Sequence, residues 1–177
     1  MKILMWIGIV IASFLVLFFV VGAFLPASYY VERALVMSAE PAVIHPLVND
    51  LRHWSKWDPW QKSDPTVEIT YGEITIGVGA HQSWTADSGT GALTLTTSSP
   101  ESGVTYELSF DEGKYISQGA ISYHITGEGT TVTWQMDGEM TGTIDKYFGL
   151  LMETMVGPEF ENGLTNLKTA VESLPAP

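Results

Sequence analysis

The sequence predicts an α+β fold in which a curved antiparallel sheet of about seven strands wraps around one long C-terminal helix. The stretch from Ile144 to Leu174 carries large apolar residues at steps of three or four, the period of a helix with one buried face. Six shorter stretches before it alternate apolar and polar residues, as the strands of a half-buried antiparallel sheet do. The apolar face of such a sheet needs a cover, and only the last stretch is long enough to provide it.

The C-terminal helix contains an expected interruption. Gly157-Pro158 lies in the middle of the apolar pattern, and proline removes a backbone donor and clashes with the carbonyl four residues earlier, at Thr154. We expect either a kink there or two helices, 144–156 and 158–173. The simpler interpretation is that the bend lets the helix follow a curved sheet. The functional interpretation is a hinge or gate over a cavity.

An uncharged apolar run occupies residues 3–25. As a helix it would be roughly 34 Å long, enough to cross a hydrocarbon core of about 30 Å. The apolar region of a secretory signal is shorter, usually about 7–15 residues. We therefore predict a transmembrane anchor at 1–26 and a folded domain at 27–177. The alternative is a cleaved signal, because Val21-Gly22-Ala23 offers small residues at a spacing typical of cleavage sites.

The charges beside this run indicate how it is oriented. Lys2 and the amino terminus precede it, whereas Glu32 and Arg33 follow it. The tendency of positive charge to stay inside predicts a single-pass protein with a cytoplasmic N-terminus and an extracytoplasmic domain.

Composition excludes several classes of function. The 177 residues include 8 basic and 20 acidic ones, which cannot form the basic stripe that nucleic acid requires. The same balance argues against docking on anionic headgroups through surface charge. There is no cysteine, which rules out disulfides, thiolate metal sites and a cysteine nucleophile.

The order of elements is a strand, two helical pieces, six strands and the long helix. Ala27 to Ser38 predicts the first strand, and Pro41 begins a helix with apolar residues at helical spacing up to Leu51. Next comes a tryptophan cluster, Trp54 to Trp60, which predicts a short helix or turn stopped by Pro59. The inward residues of the later strands are Val67, Ile69, Tyr71, Gln82, Trp84, Leu93, Leu95, Val104, Tyr106, Leu108, Phe110, Ile121, Tyr123, Ile125, Val132, Trp134 and Met136.

The chain resembles the SRPBCC superfamily (START, Bet v1-like and polyketide-cyclase-like proteins), and specifically its membrane-anchored bacterial members. The resemblance covers residues from about 28 to 172, and it implies a helix-grip fold with a deep apolar cavity between sheet and C-terminal helix. Lipid carriers, hormone receptors, cyclases, hydratases and chaperone co-factors share this fold, so the fold does not select an activity. The matching patterns are Trp54-x-x-Trp57-x-x-Trp60 with Asp64-Pro65, Gly77-Val78-Gly79-Ala80 before Trp84, Val132-x-Trp134, and Gly157-Pro158-x-Phe160-Glu161-x-Gly163-Leu164-x-Asn166-Leu167-Lys168.

Aromatic and methionine side chains are the candidates for the cavity wall, because they form a large and adaptable apolar surface. Taken singly, each is more typical of an ordinary core residue. As a group they exceed what a small sheet needs for packing. The predicted cavity residues are Trp54, Trp57, Trp84, Tyr106, Phe110, Tyr123, Trp134, Met136, Phe148, Met152 and Met155.

Candidates for catalysis are weak, and no catalytic residue is assigned. The histidines (His45, His53, His81 and His124) lack metal-ligand spacing, so neither a metal nor a cofactor is predicted. His81 and His124 fall on the outer face, and only His53 is placed near the cavity mouth. Asp58 could act as an acid or base if it is buried, but an Asp-Pro turn is the simpler interpretation. Tyr106 and Tyr123 could orient a ligand oxygen.

Three functional hypotheses follow. The first is a membrane-tethered domain that binds a hydrophobic small molecule or lipid, with residues 3–25 as the membrane contact and no protein partner identified. The second is an enzyme of the polyketide cyclase or dehydratase kind. The third is an envelope interaction module whose groove accepts a peptide or a helix of a partner.

Overall fold

The computed structural model of the protein describes residues 2–174, so residue 1 and the last three residues of the predicted domain 27–177 lie outside it. One long apolar helix is followed by a strand, three short helical segments, six strands and two helices. They are α1 (Lys2–Phe24), β1 (Ser28–Met37), α2 (Pro41–Asn49), a 3-10 helix (Leu51–Lys56), α3 (Pro59–Ser63), β2 (Glu68–Tyr71), β3 (His81–Ala86), β4 (Gly89–Ser99), β5 (Gly103–Phe110), β6 (Tyr115–Thr126), β7 (Gly129–Glu139), α4 (Asp145–Gly149) and α5 (Met152–Glu172).

The seven strands form one antiparallel sheet in the order β1-β7-β6-β5-β4-β3-β2. Strands β2 to β7 follow one another as a meander, and β1 closes the sheet beside β7. Burial alternates along β7, where Val132, Trp134 and Met136 are buried and the residues between them are less so. The α+β helix-grip architecture is therefore confirmed, with one dry face covered by α2, the 3-10 helix, α3 and α5.

Helix α5 runs through Gly157-Pro158 without interruption, so the prediction of separate helices 144–156 and 158–173 is wrong. Thr154 and Pro158 both lie on the exposed side of α5. Because the fold encloses neither residue, the missing proline N–H leaves no group unpaired in the protein interior. A bend at Pro158 stays a prediction.

The break lies earlier, at Leu150–Leu151, and separates α4 from α5. The expected apolar face is buried only in the later part of α5, at Phe160, Leu164, Leu167 and Val171. The earlier apolar residues of the pattern are exposed, which corrects the expectation that the whole stretch covers the sheet. Those residues are Ile144, Phe148, Leu151 and Met155.

Gly157 has a packing role that explains its place in α5. The guanidinium of Arg33, on β1, lies against Gly157, and a Cβ at this position would overlap it. Arg33 forms ion pairs with Glu153 (2.7 Å) and Glu161 (2.6 Å), one helical turn before and one after the glycine. The absence of a side chain at Gly157 therefore lets Arg33 pack against α5 and form ion pairs that connect the helix to the edge strand.

Helix α1 is long and apolar enough to cross a membrane over Ile3–Phe24, the kind of segment that a signal sequence also provides. Three residues, 25–27, join it to β1. The Met140 amide donates to the Ala27 carbonyl (2.6 Å), which extends the β1–β7 pairing up to this link.

We predict that Gly163→Ala destabilises the fold although alanine is the better helix former. A Cβ at Gly163 would overlap the buried Trp134 ring and approach Pro59, and neither neighbour has free space to move into. The expected loss is about 1–3 kcal/mol of the free energy of unfolding, measured by denaturant titration of the full chain in detergent micelles. Gly127→Ala, in open space in the β6–β7 turn, is the control and should change that value by under about 0.5 kcal/mol. Equal effects of the two substitutions would contradict the packing argument.

Candidate functional site

Aromatic rings fill the centre of the grip between sheet and α5. Trp134 of β7 stacks on Phe160 of α5 with ring centroids 4.3 Å apart and planes 7° from parallel. Trp57 meets Trp134 edge-on at 5.2 Å, and Trp134 Nε1 donates to the Tyr106 hydroxyl at 2.6 Å. All four side chains are at most 1% exposed. The indole N–H thus has a partner in the apolar interior, as a buried tryptophan requires.

The tryptophan cluster completes the end of α2. Helix α2 ends at Asn49, so its last carbonyls lack partners within the helix. Trp57 Nε1 donates to the Leu47 carbonyl and Trp54 Nε1 to the Val48 carbonyl, both at 2.9 Å. The Asn166 side chain of α5 donates to the Trp57 carbonyl at 3.2 Å. These bonds join α2, the cluster and α5 into one unit.

His53 contributes to the same helix end. Its Nδ1 lies 2.9 Å from the Pro46 carbonyl. The histidine expected near a cavity mouth therefore contacts the last turn of α2.

Glycines on the sheet make room for the rings above them. The Tyr106 ring lies over Gly119 of the neighbouring strand, where a Cβ would overlap it. In the same way the Trp84 ring lies over Gly91. Aromatic side chains occupy the space that these small residues leave. A ligand would therefore have to bind outside the packed centre.

Half-buried apolar side chains lie near the end of the sheet that adjoins α1. Trp84 and Phe110 form an edge-to-face pair with centroids 5.6 Å apart, and both are half-buried. Leu108 of β5 and Met152 of α5 are also half-buried and pack against the core. We name these four half-buried apolar side chains the mouth; Trp84, Leu108 and Met152 pack against the buried core, and Phe110 packs against Trp84.

Gln82 is the polar side chain behind the mouth. It is 3% exposed, and its Oε1 has no hydrogen-bond partner among residues 2–174. The strand register places it in one row with Leu93 and Leu108, one step further into the sheet than Trp84. A buried carbonyl without a partner costs about 1–3 kcal/mol, so this acceptor is suited to a donor that arrives with a ligand.

Asp58 is a buried carboxyl beside the aromatic centre. It caps α3, accepting from the Trp60 amide (3.1 Å) and the Gln61 side chain (3.2 Å), so it begins a helix and does not end one. Burial raises its pKa to about 6, against the lowering effect of these two hydrogen bonds. Its charge in turn raises the pKa of Tyr106, although burial is the larger cause there.

A second polar cluster was missed by sequence reasoning. His45 is 7% exposed, and its Nε2 and Nδ1 lie 3.2 Å from Ser98 Oγ and 3.4 Å from the Tyr123 hydroxyl. Burial lowers the pKa of His45 and so favours the neutral form of the ring. Ser98 Oγ donates to Asn49 Oδ1 at 2.7 Å, which leaves its proton engaged and directs it away from a nucleophilic role. The cluster ties α2 to the sheet.

The eleven predicted cavity residues divide into three groups. Six are buried: Trp54, Trp57, Tyr106, Tyr123, Trp134 and Met136. Three are half-buried: Trp84, Phe110 and Met152. Phe148 and Met155 are 55% and 61% exposed, so these two lie on the outer surface and not inside the grip. That the others contact a ligand stays a prediction.

Other features lie away from this set. A surface depression of about 770 Å³ lies at the opposite end of the sheet, between the start of α2 and the β6–β7 turn, and none of the eleven residues lines it. Among residues 2–174, no three histidine, aspartate or glutamate side chains are grouped so that they could hold a metal ion.

Comparisons with solved structures agree with this fold. A protein from Rhodobacter sphaeroides is similar over 83% of this chain and 94% of its own, with 15% identity and a TM-score of 0.59. Ara h 8.0201 is similar over 83% of this chain and 99% of its own, with 12% identity and a TM-score of 0.55. DynU16, a protein of the dynemicin biosynthetic locus, matches 81% of this chain with 14% identity and a TM-score of 0.57, and the chain spans only 47% of its length.

Sequence comparison identifies the family. No curated protein matches the chain. The pattern of the family described as "Polyketide cyclase / dehydrase and lipid transport" matches residues 30–172, from β1 to the end of α5. That range contains the whole grip, its aromatic centre and its mouth. The chain therefore belongs to the polyketide cyclase/dehydrase and lipid transport family, within the SRPBCC superfamily.

Proposed function

We propose that the protein is a membrane-tethered binding domain for a hydrophobic small molecule or lipid, with α1 as its anchor and the domain on the extracytoplasmic side. The observation that carries this proposal is the mouth, four half-buried apolar side chains of which Trp84, Leu108 and Met152 pack against the buried core and Phe110 packs against Trp84. Surfaces of this kind, with few polar groups, are typical of sites for apolar ligands. The lipid-transport part of the family description supports the same conclusion.

Gln82 narrows the class of ligand. The wall around it is apolar, and its unpartnered Oε1 can accept one hydrogen bond. A ligand with a long apolar body and a single hydroxyl or amine donor would satisfy that acceptor and cover the mouth. Such a ligand removes the cost of the buried unpaired carbonyl when it binds, so the same group that weakens the empty protein strengthens the complex.

A cyclase or dehydratase activity is the second candidate, and the buried Asp58 carboxyl favours it. A pKa near 6 lets this group take up or release a proton close to neutral pH, which general acid–base catalysis requires. Its present hydrogen bonds to the Trp60 amide and the Gln61 side chain also make it a helix cap. We rank this candidate second because a capping role accounts for those contacts.

The primary test is native mass spectrometry of the full chain released from a mild detergent, combined with lipid extraction of the same sample. We expect a discrete apolar molecule to co-purify or to be taken up on incubation with lipids. A ligand-free mass with no uptake from any lipid tested would contradict the carrier function and would favour the interaction-module hypothesis.

Gln82→Met separates ligand binding from folding. Methionine keeps the volume and removes the unpaired carbonyl, so we expect the free energy of unfolding of the empty protein to rise by about 1–3 kcal/mol. Ligand retention, measured by the mass-spectrometric assay, should fall by about tenfold or more. Gln118→Met, on the exposed face of β6, is the matched control and should change neither quantity. Unchanged retention in Gln82→Met would contradict the role of this acceptor.

Asp58 predicts a pH dependence of stability. Its pKa is about 6 in the folded chain against 3.8 for the free group, so the folded state binds the proton more tightly and stability falls as pH rises through this window. Relative to Asp58→Asn, the wild type should lose about 2–2.5 kcal/mol of unfolding free energy between pH 4 and pH 7. Denaturant titrations of both proteins at several pH values measure this difference.

The same variant tests whether Asp58 contributes to ligand binding. If Asp58 serves only as a cap, Asp58→Asn retains ligand as the wild type does, because asparagine is an equally good capping residue. A parallel pH profile of the two proteins would contradict the burial of the carboxyl.

A further inference from the structure

Five exposed apolar side chains surround the start of α5, and we name them the collar: Ile144, Phe148, Leu150, Leu151 and Met155. Each is between 50% and 61% exposed, within a stretch of twelve residues. Such a concentration of large exposed apolar groups marks a surface that contacts something apolar. They follow a helical apolar pattern that the sheet does not use, so a second contact surface has to account for them.

The contacts of α4 with α1 indicate what the collar faces. Tyr147 stacks on Phe18 with ring centroids 4.4 Å apart, and its hydroxyl donates to the Phe18 carbonyl at 2.7 Å. Gly22 is buried beneath Thr143 and Tyr147, where a Cβ would be too close to both. Lys146 Nζ donates to the Ala23 carbonyl at 3.2 Å. The beginning of the segment that carries the collar, residues 143–147, is thus packed against the last two turns of the apolar helix.

The depth of these contacts fits the boundary of a bilayer. The apolar span Ile3–Phe24 has 22 residues and is about 33 Å long, close to the thickness of a hydrocarbon core. Phe18 lies six residues before the end of α1, about 9 Å along its axis. Amphipathic segments at a membrane surface lie about 5–10 Å deep in the headgroup–acyl boundary. Lys146, beside Ala23, is at the level where a lysine can extend to the headgroups.

Phe110 and Met152 of the mouth lie at the same end. Phe110 pairs with Tyr115 at the β5–β6 turn, and the Tyr115 hydroxyl donates to Asp145 of α4 at 3.2 Å. Met152, a mouth residue, lies between the collar residues Leu151 and Met155 along the chain. One side of the first turns of α5 therefore faces the interior of the grip, and the collar faces outward beside α1.

We propose that the collar lies in the leaflet at which α1 ends, so that the mouth opens onto the bilayer and the ligand enters from that leaflet without crossing water. This inference rests on the proposed function, since it requires α1 to span a membrane. It adds the source of the ligand, which is the surrounding leaflet, and the route, which passes between α5 and the β5–β6 turn.

The absence of cysteine from the chain makes a direct test possible. Single variants Phe148→Cys and Leu151→Cys carry a nitroxide label in the full chain, reconstituted in vesicles of phosphatidylcholine and phosphatidylglycerol. Spin relaxation by oxygen, which concentrates in lipid, is compared with relaxation by a water-soluble nickel chelate. We expect high oxygen and low nickel accessibility at both sites.

Two controls set the scale. Ile125→Cys is 70% exposed at the opposite end of the sheet and should show the reverse, high nickel accessibility. Val10→Cys, in the middle of α1, should show the strongest lipid signal. If Val10 is in lipid while positions 148 and 151 are in water, the inference that the collar lies in the leaflet is overturned, whereas the proposal that α1 is a membrane anchor is retained. High nickel accessibility at Val10 would overturn both the collar inference and the membrane anchor. Positions 148 and 151 shielded from both reagents would mean that a protein surface covers the collar, which also overturns the inference.

The rate of lipid uptake from vesicles tests the entry route. Phe148→Asn combined with Leu151→Asn removes two apolar groups from the leaflet without altering the mouth residues. We expect uptake of a fluorescent lipid from the vesicles to slow by about tenfold, while the amount bound at equilibrium is unchanged. Loss of equilibrium binding with an unchanged uptake rate would contradict entry from the leaflet.

Discussion

The stack of Trp134 on Phe160 is the contact on which the rest of the structure depends. It joins the inner face of the sheet to the buried later part of α5, and Gly163 leaves the room for it one turn later in the helix. Trp57 packs on the same ring, and through its indole N–H it also completes the end of α2. Sheet, α2 and α5 thus share one rigid centre. The end of the sheet beside α1 lies outside this centre, so its side chains are not required to hold sheet and α5 together.

Alternation of apolar and polar residues was sufficient to predict the seven strands and most of the buried face of the sheet. Tyr71 and Ile125, which the alternation placed inward, are 37% and 70% exposed because they lie near strand ends, where no helix covers the sheet. The period of two is a property of the backbone itself, so Val132, Trp134 and Met136 could be placed inward without knowing their neighbours. The helical pattern was less informative, because apolar residues at a period of 3.6 mark a contact face without naming what it contacts. The residues from 144 to 155 show such a face, and it does not meet the sheet. The effect of Pro158 could not be predicted for a related reason. The free-energy cost of the backbone hydrogen bond that proline removes depends on whether the freed carbonyl is exposed.

Side-chain partnerships were beyond sequence reasoning at the candidate site. The burial of Asp58, the unpaired Gln82 and the contact between His45 and Ser98 each depend on residues far apart in the chain. A signal existed for one of them, because Gln82 occupies an inward position in an otherwise apolar alternation. An inward glutamine has either a structural partner or a functional one, and only the packed structure shows that the first is missing.

The short link between α1 and β1 sets the reach of the domain. Three residues separate the two elements, so the first strand begins within about 15 Å of the end of α1 even when the link is fully extended. In the proposed arrangement the grip cannot travel to a second membrane or follow a soluble acceptor. Any exchange then depends on lateral diffusion within one bilayer, where tethering gives donor and acceptor a high effective concentration. A molecule built in this way withdraws or presents its ligand locally, and long-distance delivery would require another protein.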